Sequence, residues 1–192
     1  MEDKFRRRIA PDDVILTIRT SNLDKSTVYT ERPITAGYYN TGKSVAVNEN
    51  PQYFAEIDYR PYKYRFNIDD KTMTILDDWQ SKYVDDVLEL ANKKFTEGFV
   101  PFRILICTDP GVLKELESRK IYYMVVVPDC LDTIKGRKKD IDADDTYSLV
   151  IDILEGEDAI NNFDEHMKEI EESSAFGIYR VKTSSYADIF CR

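Results

Sequence analysis

Gly37-Tyr38-Tyr39-Asn40-Thr41-Gly42-Lys43-Ser44 fills every fixed position of the pattern GxxxxGK[ST]. Each fixed position has a physical task. The glycines let backbone N–H groups turn inward toward an anion, the lysine reaches outer phosphates, and the hydroxyl faces a magnesium ion. The chain has only 7 glycines in 192 residues, so two at this spacing ahead of Lys-Ser carry weight. On the left flank, Ile34-Thr35-Ala36 is an apolar, β-branched run that reads as a buried strand entering the loop. On the right flank, Ser44 to Asn50 leaves room for two helical turns before Pro51 stops them, and its two valines are poor helix formers. A tight Asn-Thr-Gly-Lys turn between two strands, holding no ligand, is the competing reading. Tyr38 and Tyr39 are bulky for a loop that must wrap a phosphate.

Working outward, alternation of strands and helices continues to the end of the chain. Tyr53 to Asp58 reads as a second strand ending on an acid. Trp79, Tyr83, Val87, Leu88, Ala91 and Phe95 recur three or four apart, which predicts a helix over 77–95, ended by Gly98. Arg103 to Thr108 and Ile121 to Val127 are unbroken apolar runs of the kind a covered parallel sheet produces. Asp109-Pro110 opens a helix through Leu113 and Leu116. Helices are expected over 144–154 and 157–172, and a last strand over 176–181. The fold class is α/β, with a mainly parallel sheet flanked by helices. Residues 1–33 read as an extension ahead of a main domain over 34–192. They comprise a basic arm followed by a β-hairpin, in which Val14–Ile18 pairs with Thr27–Thr30 across a Ser21–Asp24 turn.

Composition narrows the function. Net charge is −9, with 42% apolar and 12% aromatic residues. This is ordinary globular composition, and the acidity argues against a nucleic-acid surface. Positive charge is clustered at Lys4–Arg8 and at Lys135–Lys139. Cys107, Cys130 and Cys191 are widely spaced and the single histidine is His166, so a zinc site is not expected and a reduced compartment is the natural reading. No apolar stretch reaches membrane-span length and no signal-peptide core is present. The expected location is cytoplasmic or inside an assembly such as a virion.

From Pro33 to Ala187 the order of pieces resembles small bacterial and phage P-loop kinase-like proteins related to nucleoside and nucleoside-monophosphate kinases. The matching stretches are the Walker A element Gly37 to Ser44, Asn48-Glu49-Asn50-Pro51, Tyr83-Val84-Asp85, Ile104 to Asp109, Val125-Val126-Val127-Pro128-Asp129, and Tyr186-Ala187-Asp188. The resemblance implies a P-loop NTPase fold that uses ATP and Mg²⁺. Gly37, Asn40, Thr41, Gly42, Lys43 and Ser44 would hold the nucleotide, with Lys43 on the outer phosphates and Ser44 on the metal. It also implies Asp58 near the phosphate acceptor and Arg137 as the cation of a lid. The chain departs from the family in the loop tyrosines, in Asp58-Tyr59-Arg60-Pro61 where an acid followed by serine is usual, and in offering one lid arginine.

Asp109, at a strand end, is a candidate magnesium-associated acid and equally an N-cap ahead of proline. The series Tyr53, Tyr59, Tyr62, Tyr64 and Phe66 could stack a base or mark a packed strand face. His166 reads as surface. Two functions follow. One is Mg-ATP-dependent phosphoryl transfer to a nucleoside, nucleotide or similar small hydroxyl substrate. The other is a catalytically inert kinase fold serving as a structural subunit of a larger assembly, with protein partners held through residues 1–33.

Overall fold

The computed structural model describes residues 14–67, 69–70, 72–94, 102–135 and 146–182. The basic arm, Phe95 and Gly98, Arg137 with Lys138 and Lys139, Cys191 and the Tyr186-Ala187-Asp188 segment therefore lie outside the described residues. The elements in order are β1 (Val14–Ile18), β2 (Ile34–Gly37), α1 (Lys43–Glu49), β3 (Phe54–Glu56), α2 (Arg60–Lys63), β4 (Tyr64–Asn67) and β5 (Thr72–Ile75). They continue with α3 (Trp79–Asn92), β6 (Arg103–Cys107), α4 (Pro110–Ser118), β7 (Tyr123–Pro128), α5 (Leu131–Lys135), α6 (Thr146–Asn161), α7 (Phe163–Glu172) and β8 (Gly177–Val181).

One six-stranded sheet organises the chain in the order β1-β8-β7-β2-β6-β3. All neighbours pair in parallel except β1, which runs antiparallel to β8. The apolar runs explain why. β2, β6 and β7 are buried along nearly their whole lengths, so each must be covered on both faces. Side chains alternate across the sheet. Ile34, Ala36, Ile104, Ile106, Tyr123, Val125 and Val127 enter one core with α3, α4 and α7. Leu105, Val126 and Val181 enter a smaller core with Ala46 of α1. Each fully buried Val, Leu or Ile contributes about 1.5–3 kcal/mol.

Connection directions place the loop of interest. From β2 the chain crosses by way of α1 to the far edge strand β3. From β3 it returns to β6, then crosses β2 to β7, and moves on to β8. Right-handed crossovers put α1 on one face and the returning helices on the other. Neighbouring connections thus diverge at the carboxyl end of β2, the kind of crevice where open α/β sheets bind ligands.

The expected N-terminal hairpin does not form. Val28 makes only an isolated parallel bridge to Ile121, and all five residues of β1 pair with β8 instead, from Val14 opposite Val181 to Ile18 opposite Gly177. The physical reason is the Thr20–Asn22 turn, which is fastened to the segment before β8. Arg19 N donates to Phe176 O at 2.7 Å, and Asn22 Nδ2 donates to Ala175 O at 3.0 Å. A separate hairpin not anticipated from the sequence, β4 with β5, stands outside the main sheet, and Tyr62 belongs to α2 rather than to a strand. Among the described residues no helix is long and apolar enough to cross a membrane.

Candidate functional site

Gly37 ends β2 and the loop closes over its own lysine. Thr41 donates twice to Tyr38 O, through its amide at 3.2 Å and its hydroxyl at 2.7 Å. Asn40 takes φ 57° and Gly42 takes φ 81°, the left-handed turn that delivers the chain into α1. Lys43 Nζ donates to Gly37 O at 2.9 Å and lies 3.4 Å from Tyr38 O. A Cβ on Gly37 would meet Thr41 Oγ1 at 2.7 Å and Lys43 Cγ at 2.9 Å, so this close turn excludes a side chain.

The residues fit a magnesium nucleotide. Lys43 rests on carbonyl oxygens, and no carboxylate among the described residues pairs with it, so its charge is available to an incoming anion. Ser44 Oγ donates to Glu56 Oε2 at 2.8 Å, bringing together at the surface a hydroxyl and a carboxylate, oxygen ligands of the kind Mg²⁺ takes. Glu56 ends β3 and was not among the sequence candidates. Its signal was its place at the end of the strand that follows the loop helix, where α1 folds back on β3.

Tyr38 and Tyr39 both reach across to α6. Tyr38 is 3% exposed, its ring edge-on to Phe163. Its hydroxyl donates to Ala159 O at 3.0 Å and lies 2.9 Å from His166 Nδ1. Burial, aided by Asp158, pushes that hydroxyl well above the ordinary tyrosine range. Tyr39 donates to Asp152 O at 3.1 Å. Both rings anchor the loop to α6 and α7. His166, read as plain surface, is part of this anchor, with Nε2 3.6 Å from Asp158 Oδ2.

The two acids singled out from sequence have other partners. Asp58 is held by the amide and Nε of Arg60, with Oδ1 at 2.8 Å from Nε. Asp58 in turn raises the Arg60 guanidinium above its usual value. Asp109 spends Oδ1 on Gly111 N at 3.0 Å, capping α4, and Oδ2 on Lys63 Nζ at 3.1 Å. The N-cap reading of Asp109 therefore holds, and Glu56 rather than Asp109 stands against Ser44.

Lys63 sits 5.9, 5.4 and 5.6 Å from the ring centres of Tyr59, Tyr64 and Trp79. Burial alone would lower its ammonium, but Asp109, Tyr64 and Glu155 more than offset this and leave it raised. Tyr59, Tyr64 and Trp79 thus form a packed wall around Lys63, whereas Tyr53 and Phe66 of the aromatic series are exposed. Tyr83 donates to Ile57 O at 3.0 Å and Tyr64 to Glu155 Oε1 at 3.1 Å; burial and Glu155 push the Tyr64 hydroxyl up to about 12. Cys107, at the end of β6, has its thiol pushed up to about 12 by burial, so it stays protonated and is no nucleophile. Among the described residues no cluster of three His, Cys, Asp or Glu side chains could hold a metal alone. A metal here would share its coordination with a nucleotide.

Comparison with protein-family models, with curated proteins and with solved structures found no match.

Proposed function

We propose that the chain is a P-loop kinase-like protein that binds Mg-ATP over Gly37–Ser44 and transfers a phosphoryl group to a nucleoside, nucleotide or similar small hydroxyl acceptor. The observation that carries this reading is the Ser44–Glu56 pair at 2.8 Å near a lysine that, among the described residues, hydrogen-bonds to the carbonyls of Gly37 and Tyr38, at the crevice where the sheet's connections diverge. Bound Mg-ATP would supply the phosphoryl group and the charge that its metal neutralises. The chain's own residues position and stabilise. Lys43 would exchange its loop carbonyls for phosphate oxygens, Gly37 and Gly42 would allow the close backbone approach, and Ser44 with Glu56 would hold the metal. Arg137 is kept as the lid cation on the resemblance alone.

A second reading, an inert kinase fold in a larger assembly, draws on a different observation: Asp58 and Asp109 are each paired with a cation of the chain, Arg60 and Lys63, so neither stands beside Ser44. One experiment separates the readings. Calorimetric titration with Mg-ATP is expected to show binding that falls about 100-fold in Lys43→Ala, the scale of a lost charged contact to phosphate. Phosphoryl transfer to nucleosides or nucleotides should then follow in a radiolabel assay. Binding without transfer to any acceptor favours the inert fold, and wild-type protein that takes up no Mg-ATP overturns the P-loop reading.

A further inference from the structure

Gly156 lies in the interior of α6, where glycine is disfavoured by about 1 kcal/mol relative to alanine. Its reason lies in the phosphate loop: a Cβ at this position would come within 2.9 Å of Tyr39 Oη. The Tyr39 ring occupies the notch, and its hydroxyl donates to Asp152 O one helical turn earlier, at 3.1 Å. Tyr38 reaches the same helix at Ala159 O, at 3.0 Å. From the same helix, Asp152 Oδ1 lies 3.8 Å from Arg60 NH1, and Glu155 Oε1 accepts from Tyr64 at 3.1 Å. A single helix therefore grips the Gly37–Ser44 loop with one set of groups and the Arg60–Tyr64 segment with another.

We propose that α6 couples these two segments, with Tyr39 and Gly156 as positioning residues, so that phosphate on the loop shifts the Arg60–Tyr64 segment. The inference rests on the P-loop reading above. Because coupling of this kind is reciprocal, whatever binds against Arg60–Tyr64 tightens or loosens the nucleotide by the same factor.

The chain carries its own reporter. Trp79 is the only tryptophan, with its ring 5.9 Å from that of Tyr59 and 5.6 Å from the Lys63 ammonium. Mg-ATP added to the full-length protein should shift Trp79 emission. Tyr39→Phe keeps the ring and removes only the hydroxyl. It should still bind Mg-ATP within about fivefold of wild type, the scale of one neutral hydrogen bond, yet lose most of the emission change at saturation. Gly156→Ala, which forces the ring from its notch, should do the same. If both variants melt at lower temperature but keep the full emission change at saturation, their role is only structural and the coupling is overturned. Wild-type protein that binds Mg-ATP with no change at Trp79 also overturns the coupling while leaving the P-loop reading intact. Absence of any binding heat overturns both.

Discussion

Two loops leave the carboxyl ends of the sheet, one after β2 and one after β3 with β6 between them, and are built in opposite ways. Gly37–Ser44 is organised by its own backbone: left-handed turns at Asn40 and Gly42, carbonyls that hold Lys43, and no carboxylate among the described residues pairing with that lysine. Asp58–Lys63, beyond β3, is organised by ion pairs, with Arg60 on Asp58 and Lys63 on Asp109 inside an aromatic wall. A loop of the first kind keeps its charge for a ligand, whereas one of the second kind spends it on the fold. The contrast explains why the strand-end acids differ in use, since Glu56 meets a hydroxyl and Asp58 meets an arginine.

Substitutions can break this contrast. The largest effect on stability is expected from Lys63→Met. It leaves Asp109 facing the rings without its cation and should cost about 2 kcal/mol in chemical denaturation, as for a mostly buried pair that loses one partner. Alkaline pH probes the same wall. Burial raises the hydroxyls of Tyr59, Tyr83 and Tyr123, and Lys63 is also raised. Groups whose folded pKa lies above the unfolded value stabilise fully below the unfolded value and lose that stabilisation as pH rises. The melting temperature should therefore hold through neutrality and fall from about pH 10 upward, with the tyrosinate absorbance of these buried rings appearing only as the protein unfolds. Glu56→Gln should weaken Mg²⁺-dependent nucleotide binding about tenfold, or about 1.4 kcal/mol, with little change in melting. The smallest effect belongs to Asp58→Asn, whose partner pair is solvent-facing. A loss of no more than about 0.5 kcal/mol and unchanged Mg-ATP affinity are expected. Equal effects of Glu56→Gln and Asp58→Asn on nucleotide binding would erase the distinction between the two loops.

What could be read from the sequence was whatever lies close together along it. The apolar runs at Arg103–Cys107 and Tyr123–Pro128 declare a covered parallel sheet, and Asp109-Pro110 declares its own cap. The loop's glycines act on the backbone beside them. Partners far apart in sequence were not legible. β1 looked like half of a hairpin because Thr27–Thr30 was the nearest β-prone run, but β8 offered a full edge to pair with. Glu56 lost out to Asp58 because the strand ends two residues earlier than its apolar pattern suggests. His166 carried no sequence sign of Tyr38, which lies 128 positions away along the chain and meets it only through the fold.

The pairing of β1 with β8 also constrains how the chain is made. Val14 finds Val181, so β1 leaves the ribosome well before β8 and has no partner until that strand follows. Until then Ile15, Leu16 and Ile18, still about half exposed in the finished fold, present an unpaired apolar edge. Closing so long a loop is slow, because its entropy is lost before any ladder bond forms. Arrival of β8 is then the step that completes the described sheet, and chains stalled before Gly177 are the ones expected to need a chaperone.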